Sequence, residues 1–101
     1  MTASSPISAT TLSLAAILDG GRAAPLFEKL REAKGSDIVI DASEVARMGA
    51  LCAQVLLSAQ TTWAQDGRAF TILDPSGALA RSAATLGLGE NAFATIGAHH
   101  E

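Results

Sequence analysis

Between Thr10 and Ala16, apolar Leu12, Leu14 and Ala16 alternate with Thr11, Ser13 and Ala15. This period of two predicts a half-buried strand. Asp19-Gly20-Gly21 then interrupts the pattern. From Arg22 to Lys34, Leu26, Phe27, Leu30 and Ala33 recur at helical spacing, with Pro25 near the first turn and Gly35 as a stop. Asp37 to Ala42 is an aliphatic run with no polar break between its two aspartates, as in a strand buried on both faces. Ala50 to Gln65 carries the clearest amphipathic pattern: Leu51, Val55, Ala59 and Trp63 form one stripe, flanked by Cys52 and Leu56. Gln54, Gln60, Thr61 and Gln65 cover its other side. Asp66-Gly67 ends that helix, and Ala69 to Leu73 reads as another strand.

Strand, helix and strand here span about 35 residues, the size of one right-handed crossover unit. A further helix opens at Asp74-Pro75-Ser76, with Asp74 or Ser76 as N-cap and proline suited to a first turn. Its buried face is expected at Leu79, Ala83 and Leu86, and Gly87 is placed to adopt the left-handed stop. Leu88 to Glu101, with Phe93 and Ile96, has room for a short terminal element. The expected organisation is a flexible arm over residues 1–8, one domain over 9–97 and a tail over 98–101. The fold class is α/β: a small single-domain sandwich, a mixed β-sheet with helices packed on it.

Composition narrows the chemistry. The 101 residues include 21 alanines, no tyrosine and few aromatics, so the core is numerous but thin. A net charge of -3 with seven Lys and Arg argues against a nucleic-acid surface, which needs clustered cations. One cysteine excludes an internal disulfide and fits a reducing, cytoplasmic setting. No apolar run reaches the roughly 20 residues that span a bilayer, and MTASSPISAT lacks the basic start and apolar centre of a signal peptide. Gly20-Gly21 and Gly87-Leu88-Gly89 lack the strand–glycine loop–helix context of a nucleotide site, so no cofactor is expected.

From Ile38 to Leu88 the order of short motifs becomes more specific. Ile38-Val39-Ile40-Asp41-Ala42-Ser43-Glu44-Val45 is followed by Val55-Leu56-Leu57, Gly67-Arg68, Phe70 to Leu73, Asp74-Pro75-Ser76 and Leu86-Gly87-Leu88. This succession resembles the STAS domain family, the fold of anti-sigma-factor antagonists, and is similar to the short STAS-like proteins of bacterial chemotaxis operons. The resemblance implies a non-enzymatic signalling adaptor whose partner is a histidine kinase or an anti-sigma-like kinase. It also allows an alternative, the STAS regulatory subunit of a lipid-transport ABC complex. In partner-switching members a hydroxyl at the start of the central helix accepts phosphate, a place where the helix terminus favours negative charge. Here the matching positions are Gly49-Ala50-Leu51-Cys52, and the nearest hydroxyls, Ser43 and Ser58, lie seven residues to either side. The resemblance therefore implies docking without the usual phosphate switch.

The expected partner-binding residues are Val45, Arg47, Met48, Gly49, Ala50, Leu51, Gln54, Ser58 and Thr61. No catalytic or metal-binding residues are expected, nor nucleic acid or membrane insertion; a homodimer is compatible with an exposed apolar helix start. Cys52 occupies a first helical turn, where a dipole can activate a thiol, but its place beside Leu56 favours a core role. Ser43 is expected to cap the turn after its strand, and Asp19 and Asp41 to serve strand-end turns rather than acid–base chemistry. Trp63 is expected in the core, and His99, His100 and Glu101 in a solvated tail without the ligands for a metal site.

Overall fold

The computed structural model of the protein describes residues 10–88 and residue 93. The expected N-terminal arm and C-terminal tail lie outside the described residues, as does Ile96 of the expected terminal element. The first strand is β1 (Thr10–Ser13), followed by β2 (Ile17–Leu18), a 3-10 turn at Gly20–Arg22 and α1 (Ala23–Glu32). Next come β3 (Ile38–Asp41), β4 (Arg47–Met48), α2 (Ala50–Gln65), β5 (Phe70–Leu73) and α3 (Ala78–Thr85).

The main sheet has the order β1-β3-β5, and β2 and β4 form a separate two-stranded sheet. Every pairing among the described residues is parallel, so the mixed character expected from the sequence is not seen there. The connections explain this. Helix α1 lies between β1 and β3, and α2 between β3 and β5, and each crossover returns the chain in the same direction.

The strand expected from Thr10 to Ala16 is divided. Its ladder ends with Leu14 N–H donating to Asp41 O at 3.0 Å, because β3 goes no further. The chain then changes partner: Ala16 O accepts from Ala46 N–H at 2.8 Å, and Ile17 and Leu18 pair with Arg47 and Met48. This switch carries the β4 segment to the start of α2.

Burial is one-sided across the main sheet. Ile38, Ile40, Phe70 and Ile72 are buried and Leu12 packs against them, whereas Val39 and Thr71 are half-buried and Thr11 is exposed. The register sets Thr11, Val39 and Thr71 side by side, so they form one row on the second face. The expectation that β3 is buried on both faces is therefore corrected. Its alternating side chains belong to one core, and the described elements leave the other side partly open.

Helix α2 also faces the core at a slightly different angle from the one expected. Its buried residues are Cys52, Ala53, Leu56, Ala59 and Trp63, while Val55 is half-buried and Leu51 is 56% exposed. The buried line runs through Cys52, Leu56, Ala59 and Trp63, one residue round from the stripe through Leu51. Trp63 anchors the far end: its Nε1–H donates to Ser36 O at 2.7 Å and its ring meets Phe70 edge-on at 5.8 Å. Helix α3 buries Leu79 and Ala83 as expected, but Leu86 lies at its exposed end. Gly87, at φ +83°, closes that helix; Leu88 N–H reaches Ala83 O at 2.9 Å and Gly87 N–H reaches Ala84 O at 3.0 Å.

Candidate functional site: the start of helix α2

The segment from Asp41 to Leu51 is held by backbone bonds that leave its outer side chains free of internal duties. Asp41 accepts from Ser43 N–H at 2.9 Å, and Val45 N–H donates to Ala42 O at 3.1 Å. The Ser43 hydroxyl, followed by its N–H, holds the Asp41 carboxyl below its usual range. Thus Ser43 and Asp41 shape the turn after β3. Asp19 acts similarly, accepting from Gly21 N–H at 3.1 Å, and the two aspartates serve separate turns.

Beyond that turn the chain is tied on two sides. Gly49 N–H donates to Leu18 O at 2.9 Å, and Met48 N–H donates to Ser82 Oγ at 3.1 Å. The first bond joins the segment to β2, and the second joins it to α3. Val45 and Met48 are 4% and 5% exposed, so their side chains belong to the core. These two expected contact residues are corrected to supporting residues: they point inward and position the loop.

The remaining expected contacts reach the surface. Arg47, Ala50, Leu51, Gln54, Ser58 and Thr61 are exposed, and Gly49 is half-buried. Gln54, Ser58 and Thr61 recur at helical spacing and share one face of α2. The Thr61 hydroxyl donates back to Leu57 O at 3.2 Å. Leu51 leans over the preceding turn, where its Cδ1 lies 3.5 Å from the position a Gly20 Cβ would take.

Gly49 is the N-cap of α2, with extended backbone angles and no side-chain cap bond. Its first turn contains no acidic residue. A Cβ at Gly49 would stand 3.4 Å from Leu18 O, which is ordinary contact, so glycine is not enforced there by crowding. Cys52, in the same turn, is fully buried and donates to Asp19 O at 3.3 Å. Burial, followed by the charge of Asp19, pushes its thiol pKa up. Cys52 is thus a buried core thiol rather than an activated one.

Sequence reasoning missed Ser82, which lies 34 residues from Met48 in the chain. A serine within a helix carries no local sign of such a distant bond. Among the described residues no three His, Cys, Asp or Glu side chains cluster as a metal site. No helix there is long and apolar enough to cross a membrane.

Parallel strands alternating with helices, and an uncapped helix start brought outward by a short second sheet, define the class as a small α/β domain of STAS type. A family model described as "Mlab, STAS domain" matches residues 1–96, and the chain belongs to the STAS domain family. Domains of this family are generally regulatory and non-enzymatic. No curated protein matches the chain.

Proposed function

We propose that this protein is a non-enzymatic signalling adaptor that docks a protein partner on the start and exposed face of α2. The contacts are Arg47, Gly49, Ala50, Leu51, Gln54, Ser58 and Thr61, with Val45 and Met48 supporting them from within. The observation that carries this reading is the exposed, uncapped helix start: Leu51 is 56% exposed and Gly49 makes no side-chain cap bond. Apolar exposure at a rigid helix end suits a partner that covers it. The partner class is a histidine kinase, such as one of a chemotaxis system, or an anti-sigma-like kinase, in a cytoplasmic setting. Ala50 and Leu51 carry no hydroxyl, so docking is not switched by phosphate at the usual place.

The same feature favours a second reading. A helix start without a phosphate acceptor also suits constitutive assembly, as in a STAS regulatory subunit of a lipid-transport ABC complex. Purification of the tagged protein from its native cells, with identification of the stoichiometric partner, separates the two readings. Recovery of a kinase supports the first, and recovery of a transport ATPase the second. With either partner, Gly49→Asp and Leu51→Asp should weaken the measured affinity at least tenfold by placing an unpaired charge in the contact. Unchanged affinity in both variants would move the interface elsewhere. Incubation with the kinase and labelled ATP should leave the chain unlabelled.

A further inference from the structure

Helices α1 and α2 run side by side in the same direction. Leu51 meets the turn before α1, and Trp63 bonds Ser36 just beyond its end. Between them lies an open cleft of about 190 Å³. Phe27 and Leu30 line it from α1, and Val55, Ala59 and Trp63 from α2. Its floor is apolar, and Phe27 is 52% exposed although Leu26 and Leu30 of the same helix are buried.

Size and charge indicate what fits. Small-molecule pockets usually hold about 300–1,000 Å³, so this cleft is too small for such a ligand. It has room instead for one or two aliphatic side chains delivered by a larger body. Arg31 and Lys34 are its charged lining residues, and no carboxylate lines it. Arg31 is already paired with Glu28 at 2.8 Å. Lys34 makes no ion pair among the described residues, leaving an uncompensated cation in the cleft lining. The cleft runs between two adjacent helices, with Phe27, Leu30 and Lys34 on one wall and Val55, Thr62 and Trp63 on the other, the kind of apolar groove into which an amphipathic helix lays its apolar face.

We infer that this cleft anchors an acidic amphipathic helix of the protein partner. Its aliphatic side chains enter between Phe27 and Val55, and a carboxylate meets Lys34. The inference rests on α2 being the docking helix and adds the partner's chemistry: an apolar stripe flanked by acid. Leu51 and Val55 then continue one apolar track from the helix start into the cleft.

The test uses an 18-residue helical peptide with Leu at positions i, i+3 and i+7 and Glu one turn further. A second peptide carries Lys in place of Glu. Titration is followed by amide chemical shifts and by fluorescence of Trp63, the chain's one tryptophan, which lines the cleft. The acidic peptide should produce saturable shifts at Phe27, Lys34, Val55 and Thr62 and a shift in Trp63 emission. It should bind up to about fivefold more tightly than the basic one, the upper end of what a single exposed ion pair contributes. Lys34→Glu should reverse that preference, and Thr62→Phe should abolish both signals by filling the cleft; circular dichroism checks that each variant is folded.

Equal binding of the two peptides, shifts outside the cleft, or an unchanged preference in Lys34→Glu would overturn the inference. So would saturable binding of monomeric dodecanoate with no peptide response. These outcomes leave the docking reading to its own test, because Gly49→Asp is measured against the partner and lies outside the cleft lining.

Discussion

The starts of α2 and α3 use their side chains in opposite ways. At α3 the buried Asp74 carboxylate accepts from Leu79 N–H at 3.3 Å and from Ala80 N–H at 3.1 Å. Ser76 Oγ adds a bond from Ala78 N–H at 3.3 Å. Gly77, at φ +75°, supplies the left-handed turn between these caps and the helix. At α2 no side chain caps the first turn, and Leu51 stands in solvent. Free helix N–H groups are usually satisfied by side chains, water or a ligand. The contrast teaches that the start of α3 is fastened by side chains within the chain, whereas that of α2 is left without a side-chain cap.

The largest effect should come from the fastened end. Asp74→Ala removes two charge-assisted bonds from a buried site and should cost about 2 kcal/mol, read as a fall in melting temperature of roughly 8–16 °C. Asp74→Asn keeps an acceptor and should lose less. Equal losses in the two variants would show that charge, not capping, matters there.

Ser82→Ala tests the tie between the two ends. It leaves the part-buried Met48 N–H without its acceptor and should cost about 1 kcal/mol. Amide exchange at Met48 should quicken with it; an unchanged rate would mean that the bond does not hold the loop.

Gly49→Asp should act in the opposite direction on the free domain. It adds a cap and a favourable charge where a Cβ makes ordinary contact with Leu18 O, raising stability by about 0.5 kcal/mol while weakening partner binding. Lower stability together with lower affinity would mean that the helix start had been distorted, and the comparison of the two termini would fail.

Cys52 supplies a kinetic check. Burial and the Asp19 charge raise its thiol pKa, so alkylation by iodoacetamide at pH 8 should run at least about tenfold slower in the folded chain than in denaturant. Equal rates would place the first turn of α2 in solvent.

Asp41 should give the smallest change. Its carboxyl is lowered by Ser43, so its stabilising contribution is present above the ordinary carboxylate value of 3.8 and is lost as the pH falls through the lower folded value. Asp41→Asn should flatten the acid limb of the stability profile, measured by denaturant melts between pH 5 and pH 2.

Much of the element order was legible because its signals are local. The alternation at Thr10–Ser13, the run at Ile38–Asp41 and the helical spacing at Ala50–Gln65 each need only nearby residues. Gly87 was likewise readable as a stop; the N-cap expected at Asp74 or Ser76 falls instead at Gly77, while both of those side chains bond N–H groups of the first turn. The rotation of α2 was not legible, because Leu51 and Cys52 are both apolar and either line could face inward. Their neighbours decide it: Cys52 is covered and bonded to Asp19 O, while Leu51 rests only at the edge of Gly20.

Residue types at the candidate site already determined its chemistry. Gly49, Ala50 and Leu51 provide neither hydroxyl nor carboxylate, and no fold can add one. Which of the nine expected contacts reach the surface was decided by the tertiary structure. Where β2 pairs with β4, Met48 is buried and Arg47 exposed; on either side, Val45 is buried and Leu51 lies outside. The cleft beside Lys34 is likewise a property of α1 and α2 packed together, since each wall in isolation reads as an ordinary helix face. A local sequence specifies what a side chain can do; burial and the approach of distant elements specify whether it is free to do it.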